Sequence, residues 1–143
     1  MGTTFVALIV VGAVVGFQVL KHKAPPDCDS VRAMINYNKQ FGESIEQQAA
    51  GDEGTEPAVT RYQVWATKIA GYGAQIRDPQ LAARMSNLAN LADETVALVP
   101  RVRADDSGSP GSPPAPQDVA DYGRIGKEFN SNLVALDQAC PAR

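Results

Sequence analysis

The feature that most constrains this chain is an uncharged apolar run at residues 5–20, FVALIVVGAVVGFQVL, followed by Lys-His-Lys at residues 21–23. As a helix, these sixteen residues would span about 24 Å, which is less than the ~30 Å hydrocarbon core of a bilayer. The segment becomes long enough to cross the bilayer if it includes the two preceding threonines and if the lysines extend toward the headgroups. We therefore predict an N-terminal membrane anchor at residues 1–23, which leaves about 120 residues for a folded domain.

A cleaved secretory signal peptide is the main alternative for this run. Such a signal has positive residues before its apolar core and an Ala-x-Ala pattern at the cleavage site, and neither is found before Ala24. Lipoprotein processing fits poorly, because Pro-Pro-Asp precedes Cys28. N-myristoylation fits poorly as well, because Val6 stands where that motif needs Ser or Thr. We therefore expect the anchor to remain uncleaved.

Two glycines in the predicted anchor, Gly12 and Gly16, form a G-x-x-x-G pair. They would lie on one face of the helix and allow a second helix backbone to approach closely. One hypothesis is that the pair mediates association within the membrane, with another protein or with a second copy of the chain. The other is that it only reflects the high frequency of glycine in membrane helices.

Beyond the anchor, Pro25 and Pro26 predict a stiff extended spacer at residues 24–27. Apolar side chains then recur three and four positions apart in four successive segments, as on one face of an α-helix. In chain order these positions are Val31, Met34, Ile35, Phe41 and Ile45; Val59, Tyr62, Trp65, Ala66 and Ile69; Leu81, Met85, Leu88, Leu91, Ala92, Leu98 and Val99; and Val119, Tyr122, Ile125, Phe129, Leu133, Leu136 and Ala139. In the first segment, the polar residues Asn38 and Gln48 lie on the same stripe.

Capping and helix-breaking residues predict where these helices begin and end. The predicted boundaries are Asp27, Asp29 and Ser30 before the first helix and Gly51 after it, Pro57 at the start of the second, Asp78 and Pro79 at the start of the third, Pro100 at its end, and Asp118 at the start of the fourth. Residues 100–117 are rich in proline, serine and glycine and are predicted to form a flexible loop.

Four amphipathic helices predict an all-α fold, an antiparallel four-helix bundle at residues 28–143 behind the N-terminal transmembrane helix. In such a bundle the start of the first helix and the end of the fourth lie at the same end. Cys28 and Cys140, the only cysteines, occupy these two places. The topology therefore brings them together, and we predict a disulfide between them; two unrelated free thiols are the alternative.

The orientation of the domain relative to the membrane follows from two opposing features. Lys21 and Lys23 would place the C-terminal domain in the cytoplasm by the positive-inside rule. The predicted disulfide favours the other side, because disulfides persist in oxidising compartments. We expect an extracytoplasmic domain, since the basic cluster is small.

Charge and chemistry exclude several classes of function. From Cys28 onward the chain has 11 Lys and Arg against 15 Asp and Glu, with no basic stripe, which disfavours nucleic acid as a partner. The single histidine, His22, lies at the predicted membrane edge, so no Ser-His or Cys-His pair can form in the domain. We therefore expect no enzyme activity, no catalytic residue, no metal site and no cofactor.

Aromatic residues are the remaining candidates for a binding surface. Trp65, Tyr62 and Tyr72 follow one another at helical spacing in the second segment, and tryptophan and tyrosine often anchor interfaces. We treat these three as possible partner contacts. The alternative is that they form ordinary bundle core with their polar tips at its rim.

Two functional hypotheses follow. The first is an accessory subunit or assembly factor of a larger membrane or envelope complex, which associates with other envelope proteins or with itself. The second is a module that binds a lipid or another apolar ligand between its helices, where small residues leave room: Gly71, Gly73, Ala89, Ala92 and Gly126. In architecture and in its Arg-, Ala- and Val-rich composition, the chain resembles small single-pass, membrane-anchored extracytoplasmic helical proteins of actinobacteria. The accessory subunits of bacterial respiratory complexes are similar in the same way, which favours the first hypothesis.

Overall fold

The computed structural model describes residues 26–51, 58–102 and 115–142, and in these residues it contains four packed α-helices and no strand. The helices are α1 (Cys28–Gly51), α2 (Val59–Gly73), α3 (Pro79–Val102) and α4 (Pro116–Ala139). The predicted all-α helical bundle is therefore confirmed.

Contacts at one end of the bundle establish its topology. The disulfide joins Cys28 at the start of α1 to Cys140 at the end of α4. The carboxylate of Asp27 accepts hydrogen bonds from the backbone N–H groups of Arg77 and Asp78, both at 2.7 Å, in the turn between α2 and α3. All four helices thus have one terminus at this end, which we call the disulfide end, so they run up, down, up and down. The opposite end is called the distal end.

Each helix packs against its neighbours in the chain, and α1 packs against α4 to close the ring. The α1–α4 contact is the least extensive of the four, whereas α2 and α3 pack most extensively. Gly73 lies where α2 meets α3, and a Cβ there would come within 3.3 Å of Met85 Cβ. The absence of a side chain at this position therefore allows the two helices to approach closely.

The caps partly match their prediction. Asp78 Oδ1 accepts hydrogen bonds from the N–H groups of Gln80 and Leu81, both at 2.9 Å, and Pro79 opens α3, as predicted. The carboxylate of Asp27 was expected to cap α1, but it bonds instead to the α2–α3 turn. The physical reason is that this turn, brought close by folding, presents two backbone N–H groups that would otherwise lack a partner.

Several helix boundaries differ from the predicted ones. α2 begins at Val59 and α4 at Pro116, each two residues from the predicted start near Pro57 or about Asp118. α3 continues through Pro100 to Val102, because a proline removes only its own N–H bond and tertiary contacts can hold the final turn. Residues 103–114 of the predicted loop lie outside the described residues.

The core extends through the bundle in two adjoining clusters of buried side chains. The larger lies toward the disulfide end and includes Val31, Met34, Ile69, Met85, Leu88 and Leu136, all fully buried, together with both cysteines. The smaller consists of Leu91, Leu98 and Ile125, with Val102 and Phe129 packed against it. No polar or charged residue is buried among the residues that the structure describes.

Within the described part of the chain, no helix has both the length and the apolar character needed to cross a membrane. The predicted anchor at residues 1–23, with Gly12 and Gly16, lies outside the described residues, as do Ala24 and Pro25 of the predicted spacer. The anchor therefore stays a prediction.

Candidate binding site

The disulfide between Cys28 and Cys140 is confirmed. Their Cα atoms are 5.1 Å apart, 112 residues separate them in sequence, and both side chains are buried in the larger core cluster. Arg32, one turn into α1, donates a hydrogen bond to the backbone oxygen of Pro141 at 3.1 Å. α1 and the end of α4 are therefore fastened by both a covalent and a polar contact.

Trp65 of α2 lies at the centre of an aromatic cluster that joins three helices. Phe41 of α1 stacks on it, with ring centroids 5.3 Å apart and planes inclined by 13°. Phe129 of α4 contacts it at 5.5 Å, and Tyr62 meets Phe41 edge-on at 5.6 Å. Offset and edge-on aromatic pairs of this kind contribute beyond the area they bury, so the cluster orders this part of the bundle.

A hydrogen bond fixes the orientation of the Trp65 ring. Its indole Nε1 donates to Asn38 Oδ1 of α1 at 3.0 Å. Asn38 lies on the mainly apolar stripe of α1, and this bond explains why a polar residue is tolerated there. Because the indole N–H is satisfied inside the protein, only the apolar part of this residue is available to a ligand.

Tyr72 is separated from this cluster. Its ring pairs with Tyr37 of α1, with centroids 6.0 Å apart and planes inclined by 48°. Partial burial, with a smaller effect of Tyr72, raises the pKa of the Tyr37 phenol above its usual 10.0. Of the three predicted contact residues, the structure brings together Trp65 and Tyr62, and it does not bring Tyr72 to them.

Beside Trp65 a cleft of about 280 Å³ opens among the helices. We call it the aromatic cleft. Its apolar walls are formed by Phe41, Tyr62, Trp65, Tyr122, Phe129 and Leu133. Gly126 of α4 also lines it, and no heavy atom outside its own helix backbone and chain neighbours lies within 4 Å of the position a Cβ would take. The cleft wall is therefore open at this glycine.

The N-terminal half of α4 exposes residues that the sequence pattern assigned to the core. Val119 is 49% exposed and Tyr122 is 46% exposed, although both lie on the predicted apolar face. Ala139, at the other end of that face, is also exposed. The first two lie at the end of α4 away from the disulfide, and the contact between α1 and α4 is the least extensive of the four.

Two other concave regions have different character. A hollow of about 540 Å³ follows the outer face of α2, and its described lining residues belong to that one helix except Gln75, in the turn after it. A polar groove of about 360 Å³ lies between α3 and α4 and contains Glu94 and Glu128. Arg124 binds both carboxylates, at 3.1 and 3.3 Å, so they form a solvated ion-pair network. These contacts also raise the pKa of the Arg124 guanidinium, so it stays charged.

The sequence analysis did not identify the residues that complete the site around Trp65. Phe41 and Phe129 were predicted as apolar positions of their own helices, and Asn38 as a polar position on the same stripe. Helical spacing shows that each of these residues faces the core, and this spacing is the only sequence signal that could have identified them. The spacing does not show that all three meet one tryptophan, because that depends on the rotation and height of each helix.

Comparison with known proteins finds no family model, no curated protein and no solved structure that matches this chain. Its function is therefore inferred from the aromatic cleft and from the way the bundle is closed.

Proposed function

We propose that this protein is a non-catalytic, membrane-anchored interaction protein, an accessory subunit or assembly factor of a larger bacterial membrane or envelope complex. The aromatic cleft is the observation that carries the proposal. It is an open apolar surface whose described lining residues include no carboxylate, amine, imidazole or thiol. Such a surface can bind the apolar side chains of a partner, and it has few groups that could perform acid–base or metal chemistry.

The bundle is proposed to stand on the outer side of the membrane, held by the anchor at residues 1–23. The confirmed disulfide supports this location, because disulfides persist in oxidising compartments. α1 begins at the disulfide end, so that end would face the membrane. From the helix rise, Leu133 and Tyr122 lie about 10 and 27 Å from Cys140, so in the proposed arrangement the cleft would stand away from the membrane surface.

The size of the cleft favours a protein partner over the alternative, a bound lipid or other apolar ligand. Its volume of about 280 Å³ is at the lower limit of the ≈ 300–1,000 Å³ of pockets that enclose drug-sized molecules, and its wall is open at Gly126. Of the small residues predicted to line a cavity, Gly126 lines this cleft, whereas Ala92 is buried in the core and Gly73 packs against Met85. The cleft thus suits a few side chains better than an acyl chain.

Purification of the tagged full-length protein from its own membranes in mild detergent, followed by mass spectrometry, tests the proposal. Gly126→Leu places a side chain in the cleft, and Gly123→Leu is its matched control, because Gly123 is equally free of neighbours but does not line the cleft. We expect a stoichiometric membrane or envelope protein to co-purify with the wild type and with Gly123→Leu, and to be lost from Gly126→Leu.

Other results of this purification contradict the proposal. If the wild type is isolated alone, the accessory-subunit function is wrong. If it is isolated alone with a bound lipid that Gly126→Leu excludes, the ligand-binding alternative replaces it.

A further inference from the structure

We infer that the occupant of the aromatic cleft is an amphipathic helix of a partner protein, with an apolar stripe flanked by basic residues, lying along the open seam between α1 and α4. This inference rests on the proposed function and adds the chemistry of the partner. The α1–α4 seam is defined as the facing sides of α1 and α4 beyond the disulfide end.

The first step is that the seam is open. Along the side of α1 that faces α4, Cys28, Ile35 and Gly42 recur every seven residues, as on one helix face. Gly42 is fourteen residues after Cys28, and Gly126 is fourteen residues before Cys140. Both therefore lie about 21 Å from the disulfide, at the same height on antiparallel helices. Neither has a heavy atom outside its own helix backbone and chain neighbours within 4 Å of its Cβ position, so the space beside both glycines is unfilled.

The second step is the length of the apolar surface in the seam. On α4 it runs from Val119 and Tyr122, both close to half exposed, to the partly buried Phe129 and Leu133. These positions span fourteen residues, or about 21 Å along the helix. That is the length of about four helical turns, enough for a bound helix to place two successive sets of apolar residues at i, i+3, i+4 and i+7 on the seam. A single side chain or a small ligand would cover only part of it.

The third step is charge. α1 and α4 contain seven Asp and Glu residues, and five of them form ion pairs with Arg or Lys: Asp29, Glu43, Asp118, Asp121 and Glu128. Within the described residues, neither Glu46 of α1 nor Asp137 of α4 forms an ion pair. By helical spacing, both lie on the sides of their helices that border the seam. Their heights above the disulfide differ by about 22 Å, so one lies near each end of the seam.

These charges identify the partner as basic. Lysine or arginine residues at both ends of the bound helix would meet Glu46 and Asp137, which steers association and sets the register. A second copy of this chain bound through the same seam would bring the unpaired Glu46 and Asp137 of one copy toward the same carboxylates of the other, because a two-fold interface pairs each surface with itself. The charge distribution therefore disfavours self-association through the seam.

Site-specific photocrosslinking in the full-length chain, in its own membranes, tests the inference. Benzoylphenylalanine replaces Tyr122 in the seam or, as a control, Thr67 on the outer face of α2, and the crosslinked segment is sequenced. We expect the Tyr122 position to crosslink to a segment of another protein with apolar residues at helical spacing and flanking Lys or Arg. The Thr67 position should not capture that segment. Crosslinks to a second copy, to lipid, to an acidic segment or to residues 103–114 of the same chain overturn the inference.

Charge reversal provides an independent measurement on the same complex. Glu46→Lys and Asp137→Lys should each lower the amount of co-purified partner by about tenfold at low salt, with a smaller loss for Glu46→Gln. Asp93→Lys, an equal change at an exposed site on α3, is the control and should leave the amount unchanged. If Glu46→Lys and Asp93→Lys retain equal amounts of partner, the inference is wrong and the proposed function stands. If no partner accompanies the wild type, both fail.

Discussion

The two ends of this bundle are held together in different ways, although the same four helices form both. At the disulfide end, α1 is joined to α4 by the Cys28–Cys140 bond and to the α2–α3 turn by Asp27. At the distal end, polar contacts join α1 to α2 and α3 to α4. Arg61 donates hydrogen bonds to Gln48 and Ser44, and Arg101 lies 3.6 Å from Asp118.

The contrast explains how a small bundle can keep an apolar surface open. Within the described residues, the hydrogen bond from Arg32 of α1 to the backbone oxygen of Pro141, just after α4, lies at the disulfide end. A covalent bond there holds the ring of helices closed, so the distal part of the seam need not be packed for the fold to persist. The covalent closure and the proposed binding surface thus lie in different parts of the molecule.

Removing the disulfide should have the largest effect on the stability of the bundle. Replacing both cysteines by serine reopens a loop with a sequence separation of 112 residues, and we expect a loss of up to about 4.7 kcal/mol in the free energy of unfolding. Urea unfolding of the full-length protein in mild detergent measures it. The single variants should be destabilised as well. A double variant as stable as the wild type would show that the ring is held closed by packing alone.

Truncations in the two regions should differ in what they damage. Met34→Ala, at a fully buried site in the larger cluster, should cost about 2–5 kcal/mol of stability. Tyr122→Ala, in the exposed part of the seam, should cost about 0.5 kcal/mol or less and yet remove the partner. Urea unfolding and co-purification together check this. Similar losses of stability in the two variants would contradict the contrast between a packed core at the disulfide end and an open seam beyond it.

The Trp65–Asn38 hydrogen bond should be the most sensitive polar contact of the cleft. Asn38→Ala leaves the indole N–H of a 6%-exposed tryptophan without its acceptor, and we expect a loss of about 1–3 kcal/mol. Trp65→Phe removes the donor, so the double variant should lose less than the sum of the two single variants. A double-mutant cycle by urea unfolding measures the coupling, and additive losses would show that the bond contributes nothing.

Two helix glycines should respond in opposite ways to the same change. Gly126→Ala meets no neighbour and should stabilise the bundle by about 0.5–1 kcal/mol, since glycine weakens a helix interior. Gly73→Ala would place its Cβ 3.3 Å from Met85 Cβ and should gain less or destabilise. Thermal unfolding compares the two. An equal gain at both positions would mean that the α2–α3 contact relaxes without cost.

The smallest expected effect concerns pH. The pKa of Tyr37 is raised in the folded state, so the folded protein holds this proton more tightly than the unfolded chain does. The corresponding stability is present below pH 10.0 and is lost as the pH rises through the folded-state pKa. Tyr37→Phe should therefore flatten the fall in unfolding free energy above about pH 10, measured by urea titration at several pH values. If the pH dependence of the unfolding free energy is unchanged in Tyr37→Phe, other titrating groups cause its fall above about pH 10.

Much of the fold could be predicted because it depends on local chemistry. The spacing of apolar residues identified four helices, and Asp78 with Pro79 identified the start of α3 from properties of those two residues alone. The pairing of Cys28 with Cys140 follows from an even number of antiparallel helices. The end of α3 was less predictable, because Arg101 and Val102 continue the helix beyond Pro100 through contacts with α4 and the smaller core cluster.

The sequence by itself determined the number of helices, the apolar face of each helix and the pairing of Cys28 with Cys140. Only the tertiary structure decided that Asp27 binds the α2–α3 turn, that Phe41 and Phe129 meet on Trp65, and that α4 keeps Tyr122 exposed. Helical periodicity states which side of a helix is apolar. It carries no information on the distance between two helices or on their relative rotation, and those two quantities decide whether facing apolar stripes close into a core or leave a cleft.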